Sequence, residues 1–453
     1  MPPLVFRADA AGVRAEHRYN GLAVAQAGPG SSRPAEAIAL PLDALADVEG
    51  RDESAVVLEA LAPDRTVARW QDHGVPQCRE YEVPALGSLA PFPELPLSWT
   101  ELPCGLLDAL AEASATGADD NTRYALSCIL LKGDSHEIVA TDGRQLLVQG
   151  GFDFPWGGDV LVKRSPLFSA KTLPRDQPVA VGKTDTHVVL RAGPWNFYLE
   201  AQDARFPRVD RVIPDASAVT TRLSLDATAA AFLAQALDHL PGADEANSPA
   251  TLDLNGRVAV RARNSDQGNV TELVLARSGY TGAAVRLNVN REFLTRAVRL
   301  GLSEFEVADA ESPVALRGGD RVYCFQPLSK ESALGPSDDA TRIEPPSQNA
   351  RPAPKPAAIP KGEPPVSEKT TSVKPPSHGG ATSNVQAAAV DGPATGGLAA
   401  LIQEAEALHE ALTDARVRAG RLSVALRRYR RRERLVSNTL ASLKALKLQD
   451  VAG

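Results

Sequence analysis

Apolar and polar residues alternate in short runs along the first 330 residues, and the runs recur in a fixed order. Period-two alternation interrupted by turn residues predicts strands joined by tight turns in residues 4–24, 126–148 and 250–276. Each set is followed by a strand that enters a short helix through a turn, and two further strand-like runs close each copy. The pattern predicts a repeated α+β unit.

The repeat has a regular period. The strand-to-helix turns lie near Pro41, Lys163 and Asn290, which are 122 and 127 residues apart. The second and third copies also have an amphipathic helix before the first strands, in residues 104–117 and 226–240, whereas the first copy begins at its strands. We therefore predict three copies of one unit with two helices each, the first copy being shortened.

The copies give domain boundaries at residues 1–95, 96–216 and 217–330, and the rest of the chain differs in composition. Residues 331–395 are rich in Pro, Ala, Ser and Lys without apolar periodicity, which predicts an extended disordered tether. A Pro-rich ligand for a partner domain is the alternative interpretation of this stretch.

Residues 396–448 have the pattern of a coiled-coil helix. Apolar positions recur at alternating steps of three and four from Leu398 to Leu443, and nine arginines fall in residues 416–434 after an acidic first half. We expect residues 398–443 to self-associate or to bind a coiled-coil partner. The arginines either contact an acidic surface such as nucleic acid or form a solvated face.

Composition limits the classes of function. The 453 residues are 43% hydrophobic and 23% charged with a net charge of −7, which argues against a wholly basic nucleic-acid binder. Positive charge is concentrated in residues 396–453, with eleven basic and six acidic residues. The preceding part of the chain is acidic overall.

Cysteine usage indicates a reducing compartment. The four cysteines, Cys78, Cys104, Cys128 and Cys324, lie far apart with no C-x-x-C spacing, which favours neither a zinc site nor a disulfide framework. We see no run of 18 apolar residues and no signal peptide at the first residues. We therefore expect a cytoplasmic protein without membrane contact.

The sequence does not have the pattern of an enzyme. Its seven histidines are scattered without an H-x-x-x-H pair, and no Walker loop or G-x-S-x-G elbow occurs. We expect no catalytic residues, no metal and no cofactor.

Five segments resemble one known family. Residues 139–148 (VATDGRQLLV), 204–214 (ARFPRVDRVIP), 288–298 (NVNREFLTRAV), 311–317 (ESPVALR) and 322–328 (VYCFQPL) are similar to the bacterial replicative sliding clamp, the β subunit of DNA polymerase III. The resemblance covers nearly all of the first 330 residues in the correct order. It is strongest in the second and third copies.

The resemblance implies three sliding-clamp domains and a function without chemistry. Clamp subunits form a head-to-tail dimer, a ring of six similar domains around duplex DNA, which they contact without sequence preference. The chain would then be an accessory subunit of a DNA polymerase holoenzyme and would tether the polymerase and clamp-loader subunits.

The resemblance also implies which side chains face DNA, although basic residues are sparse. No Lys or Arg lies between Arg79 and Arg123 or between Arg222 and Arg257, so the first helices of the second and third copies carry no positive charge. The DNA-facing candidates are Arg123, Tyr124, Lys163, Arg164, Lys171, Arg291, Arg296 and Arg299.

A cleft between the second and third domains captures partner peptides in the family. Here Gln326 stands where the family usually has an apolar residue, and Arg144 with Gln145 replaces the usual His-Arg pair, which implies altered partner specificity. The matching positions are Leu126, Thr141, Gly143, Arg144, Gln145, Leu146, Pro207, Arg211, Val212, Cys324, Gln326, Pro327 and Leu328.

Two hypotheses remain open at this point. The chain is either a clamp-like processivity factor or a degenerate clamp-like scaffold that binds partner peptides and oligomerises by its coiled coil without encircling DNA. The family resemblance makes the first the leading hypothesis, and the shortened first copy and the sparse basic helices support the second. The sequence does not distinguish the main clamp of a cell from a paralogue.

Overall fold

The computed structural model describes residues 2–10, 12–28, 35–48, 55–119, 124–264 and 268–345, which form three units of strands and helices. The prediction of a sheet-rich α+β fold is confirmed for this part of the chain. Residues 346–395 of the predicted tether and the whole predicted coiled coil lie outside the described residues.

The first unit opens on a strand and has no leading helix among its described residues. Its elements, in chain order, are β1 (Leu4–Asp9), β2 (Gly12–Tyr19), β3 (Leu22–Ala27), β4 (Glu36–Leu40), α1 (Ala44–Val48), β5 (Val57–Ala62), β6 (Arg65–Asp72) and β7 (Val75–Glu82).

The second unit adds a leading strand and helix. Its elements are β8 (Thr100–Leu102), α2 (Leu106–Thr116), β9 (Cys128–Lys132), β10 (Glu137–Thr141), β11 (Gln145–Gln149), β12 (Asp159–Lys163), β13 (Val179–Lys183), β14 (His187–Ala192) and β15 (Trp195–Glu200). The helix predicted after Lys163 is only a 3₁₀ turn, Pro166–Ser169, capped by the Ser165 side chain. Four residues are too few for an α-helix to be stable.

The third unit has both of its predicted helices. Its elements are β16 (Thr221–Ser224), α3 (Ala227–Ala236), β17 (Pro249–Asn255), β18 (Arg257–Arg263), β19 (Val270–Val274), β20 (Gly279–Gly282), β21 (Val285–Asn290), α4 (Arg291–Arg299), β22 (Glu304–Val307), β23 (Val314–Gly318) and β24 (Arg321–Phe325). Asp226 and Asn290 cap α3 and α4 by accepting hydrogen bonds from backbone N–H groups of the first turn.

Two sheets cross the boundaries between units. An eight-stranded sheet has the order β4-β1-β2-β3-β15-β14-β13-β8, and a nine-stranded sheet has the order β12-β9-β10-β11-β24-β23-β22-β16-β20. Antiparallel pairs β3–β15 and β11–β24 join the units, with five paired residues in each. Backbone groups of one unit thus pair with the N–H and C=O groups at the strand edge of the neighbouring unit.

Two smaller sheets lie at the ends of the series. The first unit contributes the sheet β5-β6-β7, and the third contributes β21-β17-β18-β19 with an added strand, β25 (Thr341–Ile343). Since β25 pairs with β19, the ordered chain continues past the predicted boundary at residue 330. Residues 331–345 therefore belong to the third unit and not to a tether.

Buried side chains alternate between the two faces of each sheet. On β9, Ile129 and Leu131 pack with the α2 side chain Leu107 in one core, whereas Cys128 and Leu130 pack in a separate cluster on the opposite face. We call these the helix face and the outer face. Because the central strands are covered on both faces, their apolar runs are nearly continuous.

Segments between units lie on the outer faces. Residues 83–99 cross the eight-stranded sheet, where Phe92 packs edge-on against Tyr198 with ring centroids 5.1 Å apart. Residues 203–215 cross the nine-stranded sheet and pack on the outer-face cluster through Phe206 and Val209. Each connecting segment thus covers the seam that it spans.

Arg291 was expected to face DNA, and the structure corrects this. It is the first residue of α4 and is 1% exposed, with its guanidinium directed into the third unit. The guanidinium donates hydrogen bonds to carbonyl oxygens of the chain that precedes β17 and of its first residue, namely those of Ser248, Leu240, Pro241 and Pro249, at 2.6–3.0 Å. Arg291 is therefore a structural residue.

Arg291→Ala should lower the free energy of unfolding by at least about 3 kcal/mol, because it leaves several buried carbonyl groups without a donor. Chemical denaturation followed by circular dichroism measures this change. Arg299→Ala is the matched control on the same helix, and it should cost less than about 1 kcal/mol because its partner Asp238 is half-exposed. Equal losses in the two variants would contradict the structural role of Arg291.

The four thiols should differ in reactivity, because two are exposed and two are buried in the outer-face cluster. Burial raises the pKa of Cys324 to about 12 and also raises the pKa of Cys128, whereas Cys78 and Cys104 are exposed. At pH 8 we expect iodoacetamide to alkylate Cys78 and Cys104 about 100-fold faster than the buried pair. Mass spectrometry of timed samples measures this, and denatured protein, in which all four thiols react, is the control. Rapid labelling of Cys324 in the folded chain would refute its placement.

Candidate functional site

The residues matched to the peptide cleft meet at the seam between the second and third units. Leu146 on β11 and Cys324 on β24 are direct partners across the seam. Both side chains are 1% exposed and belong to the outer-face cluster. The two units therefore share a continuous apolar cluster at this seam, and residues 203–215 pack on it.

A tight turn between β10 and β11 forms one wall. Gly143 has a backbone φ of +88°, which residues other than glycine rarely adopt. Its N–H donates to Thr141 Oγ1 at 3.0 Å. Asp142 Oδ1 accepts from the backbone N–H of Arg144 at 2.8 Å. A Cβ added at Gly143 would lie 3.8 Å from Leu126 Cδ1, so the leucine packs against the turn.

Gln145 lies on the other face of the sheet, which corrects its assignment to the cleft. It is 6% exposed, and its side-chain amide donates to Thr116 O at 3.3 Å and accepts from Tyr323 Oη at 2.7 Å. These partners lie on the helix face. Because neighbouring strand residues point to opposite faces, Gln145 and Leu146 do not share a surface. Gln145 joins the two units from inside.

The connecting segment 203–215 places some of its candidate residues at the surface and packs other residues against the outer-face cluster. Val212 is 43% exposed, and Arg211 is exposed as well. The side chains that pack on this cluster are Phe206, Val209 and Ile213, which the sequence comparison did not select. Their spacing of three and four residues was the signal that could have identified them. Pro207, the remaining candidate of this segment, is half-buried.

The far wall is formed by the residues after β24. The backbone N–H of Gln326 donates to Arg144 O at 2.8 Å, and its exposed side-chain amide donates to Glu311 O. Pro327 is buried, and the N–H of Leu328 donates to Asn288 O at 2.7 Å. The rim at Gln326 is therefore polar, as the sequence indicated.

Arg144, in the turn between β10 and β11, makes a hydrogen bond across the seam to the third unit. Arg144 Nη1 donates to Asn247 Oδ1 at 2.8 Å, and the Arg144 side chain is exposed. An apolar floor with exposed arginine and amide groups at its rim can anchor a short peptide by an apolar side chain and hold it by polar contacts.

Several DNA-facing candidates are engaged in contacts within the chain. Arg164 donates to Ser114 O at 2.8 Å and pairs with Asp119. Arg296 donates to Thr116 Oγ1 at 3.1 Å and to the neighbouring carbonyl of α2, and the Arg299 guanidinium lies 2.9 Å from an Asp238 carboxylate oxygen. Carboxylates thus pair with Arg164 and Arg299, and neutral oxygens of α2 hold the Arg296 guanidinium.

The other candidates have varied surroundings. Lys163 Nζ donates to Asn20 Oδ1 of the first unit at 3.1 Å, and Lys171 is exposed. The Arg205 guanidinium lies 5.9 Å from the ring centre of Tyr124. Arg123 lies outside the described residues.

Helices α2 and α3 contain no basic residue, which agrees with the charge count from the sequence. Among the described residues, no group of three His, Cys, Asp or Glu side chains is arranged to hold a metal ion. No helix in the described ranges is long and apolar enough to span a bilayer.

Comparison with solved structures identifies the fold. The chain is similar to the DNA polymerase III subunit beta of Pseudomonas aeruginosa, with 17% sequence identity and a TM-score of 0.59 over 72% of this chain and 92% of that chain. A putative DNA polymerase III beta subunit of Eubacterium rectale has 14% identity and a TM-score of 0.61 over 72% of this chain and 91% of that one. A Pseudomonas aeruginosa sliding clamp bound to griselimycin has 18% identity and a TM-score of 0.59, with coverage of 72% and 91%.

No protein-family model and no curated protein sequence matches the chain. These three comparisons each cover 72% of this chain and at least 91% of the solved structure. The resemblance drawn from five sequence segments is confirmed at the level of structure: the described part of the chain has the fold of the bacterial DNA polymerase III sliding clamp.

Proposed function

We propose that this protein is a sliding-clamp-like processivity factor that associates with duplex DNA, encircles it as an assembly of copies, and tethers a DNA polymerase and clamp-loader subunits. The observation that carries the proposal is the continuous series of three units, joined by shared sheets and similar to clamp structures over nine-tenths of their length. A rigid series of this kind suits a protein that holds its partners topologically.

The cleft at the second seam is the proposed tethering site. Its floor, Leu146 and Cys324, is apolar and closed beneath by the helix-face core, and its rim carries Val212, Arg144 and Gln326. A short peptide would gain most of its binding energy from one or two apolar side chains that pack beside the exposed Val212, above the buried Leu146 and Cys324. Polar side chains at the rim would then select among partner peptides.

The proposed role involves no chemistry in this chain. We infer an accessory subunit of a DNA polymerase holoenzyme that works in the cytoplasm, with residues 398–443 recruiting a coiled-coil partner or a second copy. DNA would be held by phosphate contacts without sequence preference, since such contacts permit sliding.

A specific observation favours a second candidate, a clamp-like scaffold that does not encircle DNA. Arg291 is buried, and Arg164, Arg296 and Arg299 are engaged with groups of the chain itself. With α2 and α3 free of basic residues, phosphate contacts would be few. Such a scaffold would keep the peptide cleft and use it to assemble partners.

Retention on DNA distinguishes the two candidates. The full chain is loaded on nicked circular DNA by a bacterial clamp loader and passed over a sizing column before and after the circle is cut. An encircling clamp remains on the circle and slides off the linear product. Equal loss from both forms would contradict encirclement and favour the scaffold.

Val212→Asp should weaken peptide-type binding at the cleft at least about tenfold, because a carboxylate beside the apolar floor must be desolvated. Griselimycin, which a Pseudomonas clamp binds, is the probe, and calorimetry on the full chain measures the dissociation constant. Leu97→Asp is the matched control, since Leu97 is a fully exposed apolar residue of the other connecting segment. Undiminished binding by Val212→Asp would contradict the proposed cleft.

A further inference from the structure

The two ends of the three-unit series have complementary open edges. The strand β19 holds the place in its sheet that β3 and β11 hold in theirs. Strand β3 pairs with β15 of the second unit, and β11 pairs with β24 of the third. Among the described residues, no unit follows the third. At the other end β7, the last strand of the first unit, has only β6 as a neighbour among the described strands. By the rule of the first two seams, β19 of one copy would pair with β7 of another.

This edge of β19 is already occupied by the chain's own continuation. We call residues 328–343 the arm. Leu328 N donates to Asn288 O on β21 at 2.7 Å, and Leu334 N donates to Thr251 Oγ1 on β17 at 2.8 Å. The arm then reaches β19, where β25 pairs in parallel with it. The arm thus crosses the outer face of the third sheet as residues 83–99 and 203–215 cross the first two.

An ion network lies beneath the arm. The Glu272 side chain on β19 is 1% exposed and lies 2.7 Å from Arg261, 2.8 Å from Arg257 and 3.1 Å from Arg342 of the arm. Burial opposes ionisation of Glu272, but the hydrogen bonds and charges of these arginines outweigh it and lower its pKa. Two of the three arginines belong to the sheet, so Glu272 keeps counter-charges when the arm leaves.

The arm's strand is held weakly. β25 pairs three residues with the five of β19, and all three of its residues are exposed, with Ile343 42% exposed. The two seams between units pair five residues each, and β7 offers eight. A seam of five pairs with β7 of a second copy would be longer than the three-residue pairing of β25, so rising concentration of the chain favours exchange of β25 for β7.

We propose that the arm is a self-cap: it occupies the edge of β19 that otherwise receives β7 of a second copy, and head-to-tail assembly requires its release. The proposal deepens the proposed function, because it rests on pairing of copies, but it concerns assembly and not DNA. A cap of this kind protects an exposed strand edge from unspecific pairing until a partner copy arrives.

Opening the arm should promote assembly. Arg342→Glu places a carboxylate opposite Glu272 and removes one of its partners, which should release β25. Sedimentation velocity over a concentration series measures the midpoint of dimerisation, which we expect to fall at least about tenfold relative to the unaltered full chain. Lys183→Glu, a charge reversal at an exposed position of the second unit, is the control and should leave the midpoint unchanged.

Locking the arm should have the opposite effect. Thr271 and Thr341 are direct partners in the β19–β25 pair, so cysteines at both positions can form a disulfide. In a Cys78→Ser, Cys104→Ser background, the midpoint of dimerisation of the oxidised chain should be at least about tenfold higher than that of the same chain after reduction. Because the locked chain still has a free β7, it should form a one-to-one pair with the Arg342→Glu chain.

The possible results separate the arm from the clamp function. Identical midpoints for open, locked and unaltered chains would overturn the self-cap, as would failure of locked and open chains to pair. If the arm controls dimerisation but the dimer is not retained on circular DNA, the self-cap stands and the encircling function fails. If DNA is retained equally by the locked chain, the edge of β19 is not the assembly edge.

Discussion

Antiparallel strand pairing between consecutive units is the constraint on which the rest of this structure depends. A unit of this size exposes two strand edges, and unpaired backbone N–H and C=O groups at an edge must be satisfied by water or by another strand. The pairs β3–β15 and β11–β24 solve this internally and align the units in one series. Apolar outer faces then form across each seam, and the connecting segments cover them. The peptide cleft is a consequence, because it lies where a seam, a turn and a connecting segment meet.

The sheet β21-β17-β18-β19 also has a covered outer face, but buried charged side chains lie on it. Its outer face carries Asp253, Arg261 and Glu272 where the nine-stranded sheet carries Leu146 and Cys324. Buried ions need partners, because an isolated charge without them is strongly destabilised. Ion pairs remain compatible with water when a cover leaves, whereas an exposed apolar face would promote aggregation. A charged outer face therefore suits a sheet whose cover can be exchanged.

The sequence predicted strands well and tertiary placement less well. Period-two alternation identified the strands around each turn, but the cleft assignment ignored that same alternation when it placed Gln145 beside Leu146. Arg291 opens a helix where a charged residue is commonly solvated, and only the fold shows the carbonyl groups that surround it. β25 was missed because three residues carry no periodicity and lie near a Pro-rich stretch. In each case the deciding interaction is with a residue distant in sequence.

The charge distribution connects these features with function. The basic residues that the resemblance assigned to DNA stabilise the units: Arg164 and Arg296 join elements to α2, and Arg299 joins α4 to the segment after α3. A protein that relies on a ring for retention needs little affinity for each phosphate, since topology and not binding energy prevents its loss. Weak DNA contacts are thus compatible with encirclement, provided that the ring closes. Under the proposed function, control of closure at the edge of β19 would then matter more than the number of arginines that face the DNA.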